Sequence, residues 1–216
     1  MSDVTWPVMG EVNWPAVAAA GVVSYALGSL SPAAAAARIR GVDLRGSGSG
    51  NPGATNAARA MGVQVGVVVG VIDVAKGFAP VVFFDRYGEP CGEVAGIAAV
   101  LGHITSPLLK GRGGKGVATS LGAILGIEPL WALPVLATFG VTLGATRQVG
   151  IGSVVGSAAL VPTSFLIWRG WAGVGFAAGM SGLVVYRHRR NIGAFVAGVR
   201  GSRTSDAPAT SELSTA

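Results

Sequence analysis

Four short stretches of this 216-residue chain hold the residue types that handle anions. The first reads Gly46-Ser47-Gly48-Ser49-Gly50-Asn51-Pro52-Gly53-Ala54-Thr55-Asn56-Ala57-Ala58-Arg59. Glycines alternate with short hydroxyl and amide side chains, and an arginine closes the run. Successive backbone N–H groups in such a run can form an anion-binding concavity. Ser49, Asn51, Thr55 and Asn56 can add hydrogen bonds, and Arg59 can clamp a phosphate with two parallel N–H donors. A flexible linker is the plain alternative, but a linker has no use for the two asparagines and the arginine.

The second stretch runs from Gly102-His103-Ile104-Thr105-Ser106-Pro107 into Lys110-Gly111-Arg112-Gly113-Gly114-Lys115-Gly116-Val117-Ala118-Thr119. It is glycine-rich and cationic like a nucleotide-binding phosphate loop. That motif, however, needs Ser or Thr directly after the lysine and a strand before the turn. Here Gly116 follows Lys115 and both flanks are apolar, which argues against nucleotide hydrolysis. A glycine-rich turn leading into a helix N-terminus still suits an anion. The third stretch, Arg147-Gln148-Val149-Gly150-Ile151-Gly152-Ser153, offers Ser153, a weak signal by itself. In the fourth, Tyr186-Arg187-His188-Arg189-Arg190-Asn191-Ile192, the i, i+3 spacing places His188 and Asn191 on one helical face. The flanking cations oppose protonation of His188. Asp73 and Lys76, also at i, i+3, interrupt an apolar run, where ionisable residues pair or line a polar pathway. A neutralising pair and a direct catalytic role are equally open for them.

The elements that position these stretches are membrane helices. Half of the residues are hydrophobic and 12% are charged, against about 25% in a soluble domain. Mean hydropathy is +0.58. The net charge of +6 does not indicate a nucleic-acid-binding surface, because the basic residues fall in short clusters between apolar runs. Cys91 is the single cysteine, which excludes an internal disulfide framework and reads as a packed residue.

Apolar runs long enough for a bilayer core of about 30 Å are expected over about 15–37, 62–84, 93–109, 151–168 and 171–186. The stretch 116–146 divides at Gly126-Ile127-Glu128-Pro129 into a short helix, a turn and a second helix. The fold class is therefore an all-α polytopic membrane protein with seven transmembrane helices. The first run has no preceding Lys or Arg and exceeds a signal-peptide core, so it reads as a retained helix. Of the 16 Lys and Arg, all but Lys76, Arg86 and Arg169 lie in the loops after the first, third and fifth spans or beyond the seventh. The excess of cations in cytoplasmic loops then puts the N-terminus outside, and the glycine-rich loops and C-terminus in the cytoplasm. Residues 1–201 form one membrane domain, and 202–216, rich in Ser, Thr, Ala and Pro, read as a disordered cytoplasmic tail.

Gly28-Ser29, the run from Ser49 to Arg59, Asp73-Val74-Ala75-Lys76-Gly77, Gly102-His103, the run from Gly113 to Thr119 and His188-Arg189-Arg190-Asn191-Ile192 stand in order across about 28–198. As an ordered set they resemble the acyl-phosphate-dependent glycerol-3-phosphate acyltransferases, the PlsY family. The resemblance implies a bacterial plasma-membrane enzyme of phospholipid biosynthesis with an external N-terminus, in agreement with the charge pattern. It implies transfer of a fatty acyl group from acyl phosphate to the 1-hydroxyl of sn-glycerol 3-phosphate, giving lysophosphatidic acid and phosphate. It further implies catalytic roles for Ser49, Arg59, Lys115, His188 and Asn191. Substrate binding would fall to Gly50, Asn51, Thr55, Asn56, Gly113, Gly114, Gly116 and Ser153. The expected partners are the two substrates and membrane lipid, with no nucleic acid, no cofactor, no metal and a monomeric chain. Two motifs depart from the family pattern: Leu109 and Arg112 replace the usual Phe and Lys, and Arg200 stands where Glu is common.

The His-x-x-x-x-Asp dyad of other acyltransferases is absent, since Leu108 and Gly193 lie five residues after His103 and His188. A phosphate oxygen of a substrate is therefore the expected proton acceptor. An anion transporter would place its cations at mid-membrane and show repeat symmetry. The sequence has one intramembrane cation, Lys76, and no repeat. A lipid phosphatase or kinase would need clustered carboxylates for a metal or a nucleotide-binding lysine motif, and neither is present.

Overall fold

The computed structural model describes residues 11–205, and the regular structure among them is helical. Helix α1 (Trp14–Ser29) is capped by Asn13, whose side chain accepts the Ala16 N–H at 3.1 Å. Helix α2 (Pro32–Ile39) is capped by Ser31, which accepts the Ala34 N–H at 3.2 Å. The run over 15–37, expected as one continuous span, is thus broken at Leu30-Ser31. Pro32 has no N–H to continue α1, and a Ser-Pro pair favours a new helix start.

Helix α3 (Ala54–Met61) is separate from α4 (Val63–Asp85), with Gly62 turning the chain at φ 97°. Helix α5 (Cys91–Thr105) ends in a 3-10 turn (Pro107–Leu109). Helix α6 (Val117–Ile127) and α7 (Ala132–Thr146) are divided by a second 3-10 turn (Pro129–Trp131), as the Gly-Ile-Glu-Pro sequence predicts. Helices α8 (Val149–Leu166), α9 (Gly170–Arg187) and α10 (Arg189–Ser205) complete the described chain. Residues 202–205, expected as the start of the disordered tail, continue α10; the rest of that tail lies outside the described residues.

Among the described residues, five segments are long and apolar enough to cross a membrane: Trp14–Ile39, Val63–Asp85, Cys91–Leu109, Pro129–Thr146 and Val149–Leu166. Helix α6, with 11 residues, is only about 17 Å long at 1.5 Å per residue, well short of the bilayer core. Large apolar side chains such as Val67, Val71, Leu133, Val141 and Leu166 point outward from the bundle, the arrangement that lipid favours and water penalises.

Small residues set the helix contacts. Helix α1 crosses α5 where Gly28 meets the Ala99 carbonyl and Gly102 meets the Tyr25 carbonyl, so a Cβ on either would enter the other backbone. Beneath the first glycine loop, Ala33, Ala37, Leu44, Ala57 and Val69 pack α2 and α3 onto α4. The glycine-rich loops gather at one end of the bundle, where the Arg45 guanidinium donates to the Arg112 carbonyl. At the opposite end Arg169 lies 3.8 Å from Asp85.

Candidate active site

The first glycine loop is shaped by Asn56. This side chain is 1% exposed; its Oδ1 accepts the Ser49 N–H at 3.0 Å, and its Nδ2 donates to the Leu44 and Ser47 carbonyls, both at 3.0 Å. Gly48 and Gly50 adopt φ 55° and 64°, the left-handed conformation that favours glycine. A Cβ on Gly48 would collide with Asn56 Oδ1. The Gly50 N–H donates to the Ser47 carbonyl. Two of the N–H groups expected to form a concavity, those of Ser49 and Gly50, are thus used within the loop, and Asn56 builds it. Leu44 and Ser47 lie 12 and 9 residues before it, a distance at which sequence spacing carries no register.

The second turn is likewise committed. Gly113 and Gly114 donate their N–H groups to the Ile104 and His103 carbonyls at 2.9 and 3.0 Å. Their own carbonyls accept the Arg187 guanidinium at 3.0–3.3 Å. What the turn delivers is Lys115 and the start of α6. Lys115 Nζ donates to Asn191 Oδ1 at 2.8 Å, joining the second and fourth stretches.

These elements surround one cavity of about 550 Å³. Its polar end holds Ser49, Asn51, Thr55, Asn56, Arg59, Lys115, Gly116, Ser153, His188 and Asn191. Of the residues expected at the site, Gly50, Gly113 and Gly114 are not in the lining; they act through the loop geometry just described. Three helix N-termini face the same end: those of α3, α6 and α8, capped by Gly53, Gly116 and Gln148 with no side-chain hydrogen bond. Their first-turn N–H groups and helix dipoles favour an anion. The other end of the cavity is apolar, with Leu121, Ile124, Leu136, Phe139, Leu160 and Met180.

Burial, and then the charges of Arg187 and Arg59, lower the Lys115 pKa from its ordinary value. His188 is 2% exposed, and its Nδ1 meets the Val184 carbonyl at 2.8 Å. A carbonyl only accepts, so Nδ1 carries the proton and Nε2 is left as an acceptor. Burial lowers the His188 pKa; the Val184 contact opposes this, and Lys115 and Arg187 add to it. His188 is therefore a neutral hydrogen-bonding ring near neutral pH, as the flanking cations predict. Ser153 Oγ donates to the Val149 carbonyl at 2.8 Å within the first turn of α8.

Six polar lining residues fall outside the set read from sequence: Asp73, His103, Ser120, Arg147, Gln148 and Ser157. The first two lay in recognisable motifs but carried no spacing that placed them at the cavity. Arg147 has φ 55°, an uncommon left-handed conformation for a non-glycine residue, and caps α7.

The family model described as glycerol-3-phosphate acyltransferase matches residues 18–198. A glycerol-3-phosphate acyltransferase of Geobacter sulfurreducens is 39% identical over 172 residues, 79% of this chain and 89% of the relative. One from Myxococcus xanthus is 43% identical over 157 residues, 71% and 82% of the two chains. Two crystal structures of PlsY (YgiH), an integral membrane glycerol 3-phosphate acyltransferase, superpose on this fold. The glycerol 3-phosphate form has TM-score 0.81 and 32% identity, covering 84% of this chain and 92% of that one. The lysophosphatidic acid form has TM-score 0.79 and 31% identity with the same coverage.

Proposed function

The chain belongs to the glycerol-3-phosphate acyltransferase family, and from that premise we propose that it moves a fatty acyl group from acyl phosphate to the 1-hydroxyl of sn-glycerol 3-phosphate. The observation that carries this reading is the two-ended cavity. A cationic, N–H-rich end runs without interruption into an apolar end, which suits an acyl chain joined directly to a phosphate.

In this reading Arg59, Lys115 and the starts of α3, α6 and α8 hold the phosphate groups, with Ser49, Thr55, Ser153 and Asn191 as hydrogen-bonding partners. The 1-hydroxyl oxygen attacks the acyl carbonyl carbon, the carbon–oxygen bond to phosphate breaks, and phosphate leaves with the electron pair. His188 Nε2 accepts a hydrogen bond from the attacking hydroxyl and orients it. The proton passes to a phosphate oxygen, so that ester and hydrogen phosphate are the products. An acyl phosphate is a mixed anhydride with a good leaving group, so positioning and fixed charge can carry the catalysis.

The chain is an integral membrane protein of one domain, with α1–α2, α4, α5, α6, α7, α8 and α9 as seven passes, of which the 11-residue α6 is a short one packed within the bundle. The gathered cationic loops, and with them the site, face the cytoplasm. Arg59→Ala and Lys115→Ala are each expected to lower kcat/KM in membranes by at least about tenfold, the scale of one charge-assisted hydrogen bond to phosphate. Near-normal turnover in either variant contradicts the assignment.

A further inference from the structure

A buried polar chain links the break between α1 and α2 to the turn that carries Lys115. Lys76 Nζ donates to the Leu30 carbonyl at 2.5 Å and lies 3.0 Å from Asp73 Oδ1. The same carboxylate oxygen is 3.5 Å from His103 Nδ1. The Nε2 edge of that ring lies against Gly114, where a Cβ would run into it, and the His103 carbonyl accepts the Gly114 N–H at 3.0 Å. Ser106 Oγ donates to the Ser29 carbonyl at 2.6 Å, tying α5 to the same break. Asp73 and His103 are 2% and 7% exposed.

Neutralisation explains Lys76 beside Asp73, because an unpaired charge in a span is costly. It does not explain His103, whose two ring edges join that pair to the glycine turn. We propose that Asp73, Lys76 and His103 are positioning residues for the acyl transfer. The α4 pair fixes the His103 ring, and the ring with its own carbonyl fixes Gly114, hence the placement of Lys115 and the first turn of α6. The inference rests on the reading of Lys115 and α6 as part of the glycerol 3-phosphate site. It makes the broken first span functional: Leu30 ends α1, and its free carbonyl becomes an anchor for Lys76.

A residue acting through Lys115 changes substrate binding, whereas one that only neutralises a span changes stability. Kinetics of the full-length enzyme in membranes separate these. His103→Ala is expected to raise KM for glycerol 3-phosphate about tenfold, the scale of one lost interaction with a charged group. Its kcat should stay within about twofold, a separation that marks lost binding rather than lost chemistry. His103→Asn keeps an N–H at the Nδ1 position and should recover most of the loss. Asp73→Asn should show the same KM effect, which supplies the test if His103→Ala does not fold. A fall in kcat with KM unchanged, or no kinetic change in folded variants, overturns the proposal. Lys115→Ala is measured alongside. An unchanged KM there overturns the site reading and this proposal with it. A raised KM there, with His103→Ala unaffected, overturns this proposal alone.

Discussion

The two glycine-rich segments look alike in sequence and are built by different means. In the loop over 46–53 the organising side chain is Asn56, three residues beyond it, and the accepted and donated hydrogen bonds all close within 12 residues. In the turn over 110–116 the acceptors His103 and Ile104 are as near in sequence, but Arg187 from the end of α9 and Asn191 from α10 reach it across 73 and 76 residues. The first segment is a local structure that one residue can dissolve. The second is an assembly product whose shape depends on the bundle around it. Similar composition therefore gives unequal sensitivity to substitution.

The largest effect is expected at the local organiser. Asn56→Ala removes three hydrogen bonds and orphans the buried Leu44 carbonyl, a loss of about 3 kcal/mol. Activity should fall at least a hundredfold, with a lower melting temperature in detergent. A variant with normal activity would break the contrast, since the first loop would then not need its organiser. An intermediate effect is expected in the second turn. Arg187→Gln removes one of several supports for Gly113 and Gly114, and KM for glycerol 3-phosphate should rise about tenfold with the fold intact. A collapse as severe as that of Asn56→Ala would show that the turn, too, hangs on a single residue.

The smallest and most specific effect concerns pH. Lys115 binds an anion only when protonated, and burial with the neighbouring Arg187 and Arg59 charges lowers its pKa. KM should therefore begin to rise with pH below the ordinary lysine range, as the ammonium loses its proton. Lys115→Arg, whose guanidinium stays charged, should abolish that alkaline rise. Arg187→Gln removes a positive neighbour and should move it to higher pH. A rise at the same pH in Arg187→Gln and in the unaltered protein would contradict the electrostatic coupling of Arg187 to Lys115.

Much of this was legible in the sequence for a physical reason. Charge deficit and apolar runs define membrane helices, and the clustered cations define the end of the bundle where the loops meet. Arg59, Lys115, Ser153, His188 and Asn191 share one cavity, as the ordered motifs imply. What stayed hidden was hydrogen-bond commitment. Gly113 and Gly114 look like free donors in sequence, but the end of α5 supplies acceptors 9 and 11 residues back, a distance at which spacing carries no register. The same holds for Asp73 and His103. An intramembrane charge pair is visible in sequence, while the histidine that turns it toward the site is not. The apolar wall was silent because Leu121, Phe139 and Met180 differ in nothing but position from the lipid-facing residues around them. The break at Leu30-Ser31 was written in the capping pair Ser31-Pro32, but it lay inside a run whose hydropathy is continuous.

In the proposed reaction one cavity accepts a phosphate and an acyl chain as parts of the same donor. It is tested most directly by supplying labelled glycerol 3-phosphate to membranes containing the protein, with acyl phosphate, acyl-CoA or acyl carrier protein given separately. Labelled lysophosphatidic acid is expected with acyl phosphate alone. Transfer from acyl-CoA or acyl carrier protein, with acyl phosphate inert, would contradict it.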